Sequence, residues 1–203
     1  MPWSATSRYG LVPAPGVLGL VQDLLNTVSA AHEPDLLADV ASARKWVSDA
    51  IAQWAAATGQ DVSGVVLDVG DLQELRAFRD DLREVTSRAH DATRDTAPAV
   101  RVLHAGTAAL QLESDGSVRL QPRDTGQQAL VMLVLAALFE GQQAGTRRRL
   151  KICRNPRCQV AFYDRSRNAN GVWHSVRVCG NAINLRAHRE RRRSQTGGTG
   201  RSG

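Results

Sequence analysis

The chain is predicted to be mainly α-helical, with a helical N-terminal domain that carries one small β-hairpin and a C-terminal zinc-finger module that ends in a basic helix. Three observations carry this reading. Apolar residues recur at helical spacing in four long segments, the period changes to two around a single turn, and all three cysteines fall within 27 residues of arginine-rich sequence.

Residues 1–16 hold Pro2, Pro13, Pro15 and two glycines and are expected to form a flexible lead-in. From Val17, the residues Leu20, Val21, Leu24 and Val28 follow the helical period, so this segment should bury one face. A longer stripe from about Asp35 to Ala57 includes Leu36, Leu37, Val40, Trp46, Val47, Ile51 and Trp54, and Gly59 ends it. Asp71 followed by Glu74 reads as a variant capping signal, behind which Leu72, Leu75, Phe78, Leu82, Val85 and Ala89 predict a third helix. Leu110 and Leu112 answer Val118 and Leu120 across Ser114-Asp115-Gly116-Ser117, the pattern of a hairpin. Asp124 or Thr125 then caps an apolar helix running to about Gln142, and Gly145-Thr146 marks the boundary of a 17–146 domain. The module spans 147–193, and 194–203 is a flexible tail.

With 42% hydrophobic residues the larger part can build a core, which excludes a disordered chain. The most apolar run, Ala129 to Phe139, is eleven residues, far short of the roughly 20 that cross a bilayer as a helix. Neither a membrane span nor a secretory signal is expected, and the protein is expected in the cytoplasm. Net charge is +6, unevenly divided: from Arg147 onward 15 Lys plus Arg stand against Asp164 and Glu190 (+13), while residues 1–146 hold 11 against 18 (−7). A basic terminal segment is the electrostatic footprint of nucleic-acid binding, although an acidic protein or an anionic surface would also be attracted.

The cysteines and one histidine form the pattern C-x4-C-x15-H-x4-C: Cys153, Cys158, His174 and Cys179. Two short pairs separated by a loop suit a tetrahedral ion, and three thiolates with one imidazole favour one Zn2+ over harder cations. Four protein ligands leave no open position, so the zinc is expected to be structural and the chain not an enzyme. The motifs H-E-x-x-H, G-x-x-x-x-G-K-[ST] and G-x-S-x-G are also absent. Unrelated buried cysteines, a disulfide, or His188 as substitute ligand are the alternatives. Ile152, Val160, Phe162, Val172, Trp173, Val176 and Val178 are the only residues that can form a core around the ion, and Phe162 and Tyr163 could instead stack on bases. Asp164 is expected to pair with Arg165 or Arg167.

The run from 150 to 193 resembles the CGNR zinc finger: Phe162, Tyr163, Asp164, Ser166, Arg167, Asn168, Trp173, Cys179, Gly180 and Asn181 keep its pattern. His174 stands where that family usually has a third Cys, and Ala182 replaces the Arg of the motif's last letter. Upstream, Asp23, Asn26 and Thr27 in VQDLLNTV are similar to the opening of the ABATE domain that precedes this finger. The resemblance implies a bacterial transcription regulator.

Asn181 to Arg193 has helical character, with Ile183 and Leu185 placed to pack back onto the finger. Arg186, Arg189 and Arg193 share a face with Arg192 beside them, and together with Arg167 and Arg177 they are the candidate nucleic-acid contacts. Arginine's planar fork grips phosphate or a guanine edge bidentately, whereas a merely solvated basic face is the structural alternative. The expected function is a zinc-containing DNA-binding regulator whose N-terminal domain senses a small-molecule effector or mediates association, a homodimer included. The competing reading is a protein- or RNA-interaction module. Asn26 and Thr27 are candidate ligand contacts, with helix capping or interhelical hydrogen bonding as their alternative role.

Overall fold

The computed structural model describes residues 3–89 and 101–196, with His188 and 193–196 described by backbone alone. Its elements are α1 (Ser4–Ser7), α2 (Leu18–Leu25), α3 (Val40–Thr58), α4 (Asp71–Arg88), β1 (Ala108–Leu112), β2 (Val118–Pro122) and α5 (Gly126–Gln143). A 3-10 turn (Arg147–Arg149), β3 (Leu150–Ile152), β4 (Ala161–Tyr163), a π-helical turn (Val176–Gly180) and α6 (Asn181–Thr196) complete the order. No helix among the described residues is long and apolar enough to cross a membrane.

The predicted helices form, with their ends moved. Asp39 caps α3 by accepting from the Ser42 amide at 2.9 Å, so α3 begins at Val40, later than the apolar stripe suggests, and Gly59 ends it at φ 69°. The capping signal at α4 lies one turn upstream of the expected pair. Asp68 accepts from the Asp71 amide and Asp71 accepts from the Asp68 amide, at 2.9 and 2.8 Å, while Glu74 takes a hydrogen bond from Gln127. The β1–β2 hairpin has the register Leu110↔Leu120 and Leu112↔Val118 around Gly116 at φ 87°.

α2 is the centre of the molecule. All eight of its residues are buried, where its apolar spacing suggested one buried face, because α1, α3, α4, α5 and β4 pack around it. The 3–16 segment also differs from a flexible lead-in. Trp3 is buried with its indole against Gly19, where a Cβ would lie 2.3 Å from Trp3 Nε1. The Thr6 amide donates to Asp23 Oδ1 at 2.7 Å, and Asp23 Oδ2 accepts from the Trp46 indole at 2.8 Å. Proline and glycine density says only that a segment is not a long helix; one buried tryptophan anchors it.

The main core continues across the expected boundary at residue 146. Leu150 and Ala161, from β3 and β4, are buried in the same cluster as Leu20, Leu24, Trp46, Phe78 and Leu133. The sequence carries no signal for that hairpin, since three-residue strands are too short to show a period.

Candidate metal centre and basic surface

The β3–β4 hairpin carries the first ligand pair. Cys153 follows β3 and donates its amide to the Val160 carbonyl at 2.9 Å, and Cys158 lies before β4. Between them Asn155 builds the knuckle: its carbonyl accepts from the Cys158 and Gln159 amides, its side-chain oxygen accepts from the Arg157 amide, and Gln159 takes a φ of 54°. An Asn-Pro pair is a turn signal, legible at 155–156 beforehand.

The second pair is set by the long loop and the π turn. The Lys151 ammonium, on β3, reaches Asp164 Oδ2 at 2.7 Å and the Ala169 and Gly171 carbonyls at 2.5 and 2.9 Å, so it ties the loop to the hairpin. Asp164 also accepts from the Ser166 and Gly171 amides. Burial alone would raise the Asp164 carboxyl, but Lys151, Ser166 and Gly171 outweigh it and hold the group well below the usual carboxylate range. Lys151, the one lysine of the module, therefore takes the place expected of Arg165 or Arg167. A lysine on β3 points inward beside Asp164, whereas Arg165 lies over the Tyr163 ring and donates to the Pro13 carbonyl.

In the π turn the Cys179 and Gly180 amides both return to the Ser175 carbonyl, which turns Cys179 inward. Gly180 lets the turn pack tightly on the indole: a Cβ there would come within 3.2 Å of Trp173 Cδ1, which would have to give by a few tenths of an ångström. The result brings together all four expected ligands. One donor atom each from Cys153, Cys158, His174 and Cys179 lies within 4.8 Å of the others, with His174 Nδ1 3.3 Å from Cys158 Sγ and 3.5 Å from Cys179 Sγ. Tetrahedral Zn–S and Zn–N bonds of ordinary length imply S···N edges of about 3.6 Å, so the cluster has the size of a zinc site. The three cysteines are free and buried.

Electrostatics argue the same way. The Cys158 thiol hydrogen-bonds to Cys153 and lowers it to about 4, whereas that same bond raises Cys158, and burial raises Cys179 against a hydrogen bond from Asn155. Three thiolates cannot share this buried space without a cation, and a dication removes the conflict. Val160 and Phe162 pack with the three cysteines, and Trp173, Tyr9, Leu11 and Ala30 flank them. Val176 and Val178, expected in this small core, are exposed because they flank the inward-facing Cys179; Tyr9 and Leu11 of the N-terminal segment fill the space instead.

The model of the ABATE family, described as "Putative stress-induced transcription regulator", matches residues 18–141, more than half of the chain. The chain belongs to the ABATE family. A second family model, the CGNR zinc finger, matches residues 149–192 of this ABATE protein, and the four-ligand cluster within it holds one structural zinc ion. No curated protein matches the chain.

The ABATE domain grips its finger through the motif read at 23–27. Asn26 Oδ1 accepts from the Ala161 amide at 2.8 Å, and Asn26 Nδ2 donates to the Ala161 carbonyl at 2.9 Å and to Thr6 Oγ1 at 3.3 Å. Gln22 adds a bond to the same carbonyl, and Arg83 links the Leu25 and Gln159 carbonyls. Thr27 Oγ1 donates to the Leu24 carbonyl and accepts from Arg79. Asn26 and Thr27 are fully buried with these groups in use, so the interhelical role replaces the ligand contact expected of them.

The basic surface is only partly what the spacing suggested. Arg167, Arg177, Arg189 and Arg192 are exposed and Arg186 is half-buried, while the side chains of Arg193 and His188 lie outside the described residues. Arg149 is committed inward, to the Asp164 and Ser166 carbonyls. α6 continues directly from the π turn, against which it packs, and runs outward. Ile183 is half-buried, but Leu185 is exposed, contrary to the expected packing onto the finger, because that turn of α6 has already left it.

Proposed function

We propose that this ABATE protein is a DNA-binding transcription regulator in which zinc shapes a basic reading module and the helical domain supports it. The carrying observation is the outward run of α6, with Arg189, Arg191 and Arg192 exposed on a segment of net charge +13. Like charges at helical neighbours repel one another, and phosphate oxygens offset that repulsion while accepting bidentate hydrogen bonds. The helical domain, at net −7, is repelled by DNA, which orients the encounter with the module foremost.

Measured DNA affinity is expected to fall linearly on a log–log plot against salt, with the slope reduced by about 0.9 for each phosphate-contacting arginine replaced by alanine at 189 or 192. Absent or salt-independent binding to any duplex overturns the reading. No enzymatic role is proposed, since four protein ligands complete the tetrahedron of a structural zinc.

A role for the helical domain in association or effector binding is supported by its surface. Leu110, Leu112, Val118 and Phe139 are exposed, and a groove of about 590 Å³ runs beside them, lined by Trp54, Leu120, Met132 and Leu135. Sedimentation at increasing protein concentration tests for a homodimer, and a Phe139→Ser variant is expected to weaken it.

A further inference from the structure

Among the described residues, the large apolar side chains exposed in the zinc module are Val176, Val178 and Leu185, at 69%, 65% and 55%. All three lie within ten residues, at the root of the arginine helix. Their exposure follows from the metal site: the π turn directs Cys179 to the ion, so the valines beside it face outward, and Ser175 Oγ holds the turn by accepting from the Val178 amide. On α6, Leu185, Arg189 and Arg192 fall on one face, since their offsets of four and seven residues are close to whole helical turns.

We infer that Val176, Val178 and Leu185 form an apolar base-reading edge that contacts thymine methyl groups in the major groove, while Arg189 and Arg192 bind the flanking phosphates. The inference rests on the DNA-binding reading above and adds to it a preference for thymine. Charge selects the occupant: apolar side chains embedded in a segment of net +13 meet a polyanion before they meet a neutral or basic surface. The major groove offers one apolar group on base edges, the C5 methyl of thymine, and the first turns of a recognition helix are the part that reaches base edges. The zinc holds the two valines at a fixed distance from the arginines, so methyl contacts and phosphate contacts form in one register.

The test uses the intact zinc-loaded chain. A binding selection from random duplexes identifies preferred sites, and each thymine is then replaced in turn by deoxyuridine, which lacks only the methyl. One or more replacements are expected to weaken binding about fourfold each, the effect of exposing one buried methyl. Val176→Ser, Val178→Ser and Leu185→Ser are expected to abolish that discrimination while leaving the salt slope unchanged, whereas Arg189→Ala lowers the slope and keeps the discrimination. The valines are exposed, so the variants retain zinc stoichiometry, which is measured alongside. Selected sites without thymine, wild-type indifference to deoxyuridine, or serine variants that still discriminate overturn the inference. A serine variant that changes the sedimentation coefficient of free protein and not its thymine discrimination also overturns it, in favour of a surface between copies. Failure of the DNA-binding reading is distinct: no salt-dependent binding to any duplex.

Discussion

Asn26 and Ala161, 135 residues apart, exchange two hydrogen bonds, the Asn26 amide acting as a substitute strand neighbour for the backbone of β4. Both groups are buried, and Gln22 and Arg83 add further bonds from the helical domain to the finger. The metal module is thus seated on the ABATE core and not tethered beside it.

Replacing Asn26 with leucine leaves the Ala161 amide without a partner and its carbonyl with Gln22 alone. A loss of about 2 to 4 kcal/mol is expected, since each buried group deprived of its partner costs about 1 to 3 kcal/mol. Chemical denaturation followed by fluorescence checks this, and zinc retention should weaken in parallel. An Asn26→Leu protein as stable as wild type contradicts the seating argument.

Chelation should act well beyond residues 147–193. Leu150 and Ala161 lie in the main core, so removing zinc is expected to loosen α2 and α4 as well as the finger, seen as lowered Tm and altered near-UV dichroism of the buried Trp46. Elemental analysis should find one zinc per chain, and Cys153→Ser or Cys179→Ser should lower that ratio. Protein purified without chelator and free of metal would sink the structural assignment.

The Lys151–Asp164 pair, with both side chains about 5% exposed, ties the loop between the ligand pairs. Asp164→Asn leaves the ammonium buried without its counter-charge, and a cost of about 3 to 5 kcal/mol is expected at pH 7. Because the folded carboxyl titrates below its unfolded value, its contribution is complete above about pH 4 and is lost as pH falls further. The difference between wild type and Asp164→Asn should therefore shrink in acid denaturation below that pH. A difference that grows there contradicts the pairing.

Gly19 tests whether the N-terminal segment is structural. Its absent Cβ is the space that the Trp3 indole occupies, so Gly19→Ala should displace Trp3 and cost about 1 to 3 kcal/mol, with a red-shifted emission. A Trp3→Ala background should remove most of that cost. If Gly19→Ala is neutral in the full chain, Trp3 does not pack as described.

What the sequence determined by itself is local: helix existence from the apolar period, the β1–β2 turn from Asp115-Gly116, and the ligand set from C-x4-C-x15-H-x4-C. Each is a short-range pattern whose physics needs no distant partner. Only the tertiary structure decided the rest. Trp3 in its notch, Asn26 on Ala161, Lys151 in place of an arginine on Asp164, and Val176 and Val178 turned outward all depend on residues that meet through chain closure. The physical reason is that a buried polar group must find a partner and a buried ring must find a cavity, and which partner or cavity is nearest is set by packing, not by neighbours along the chain.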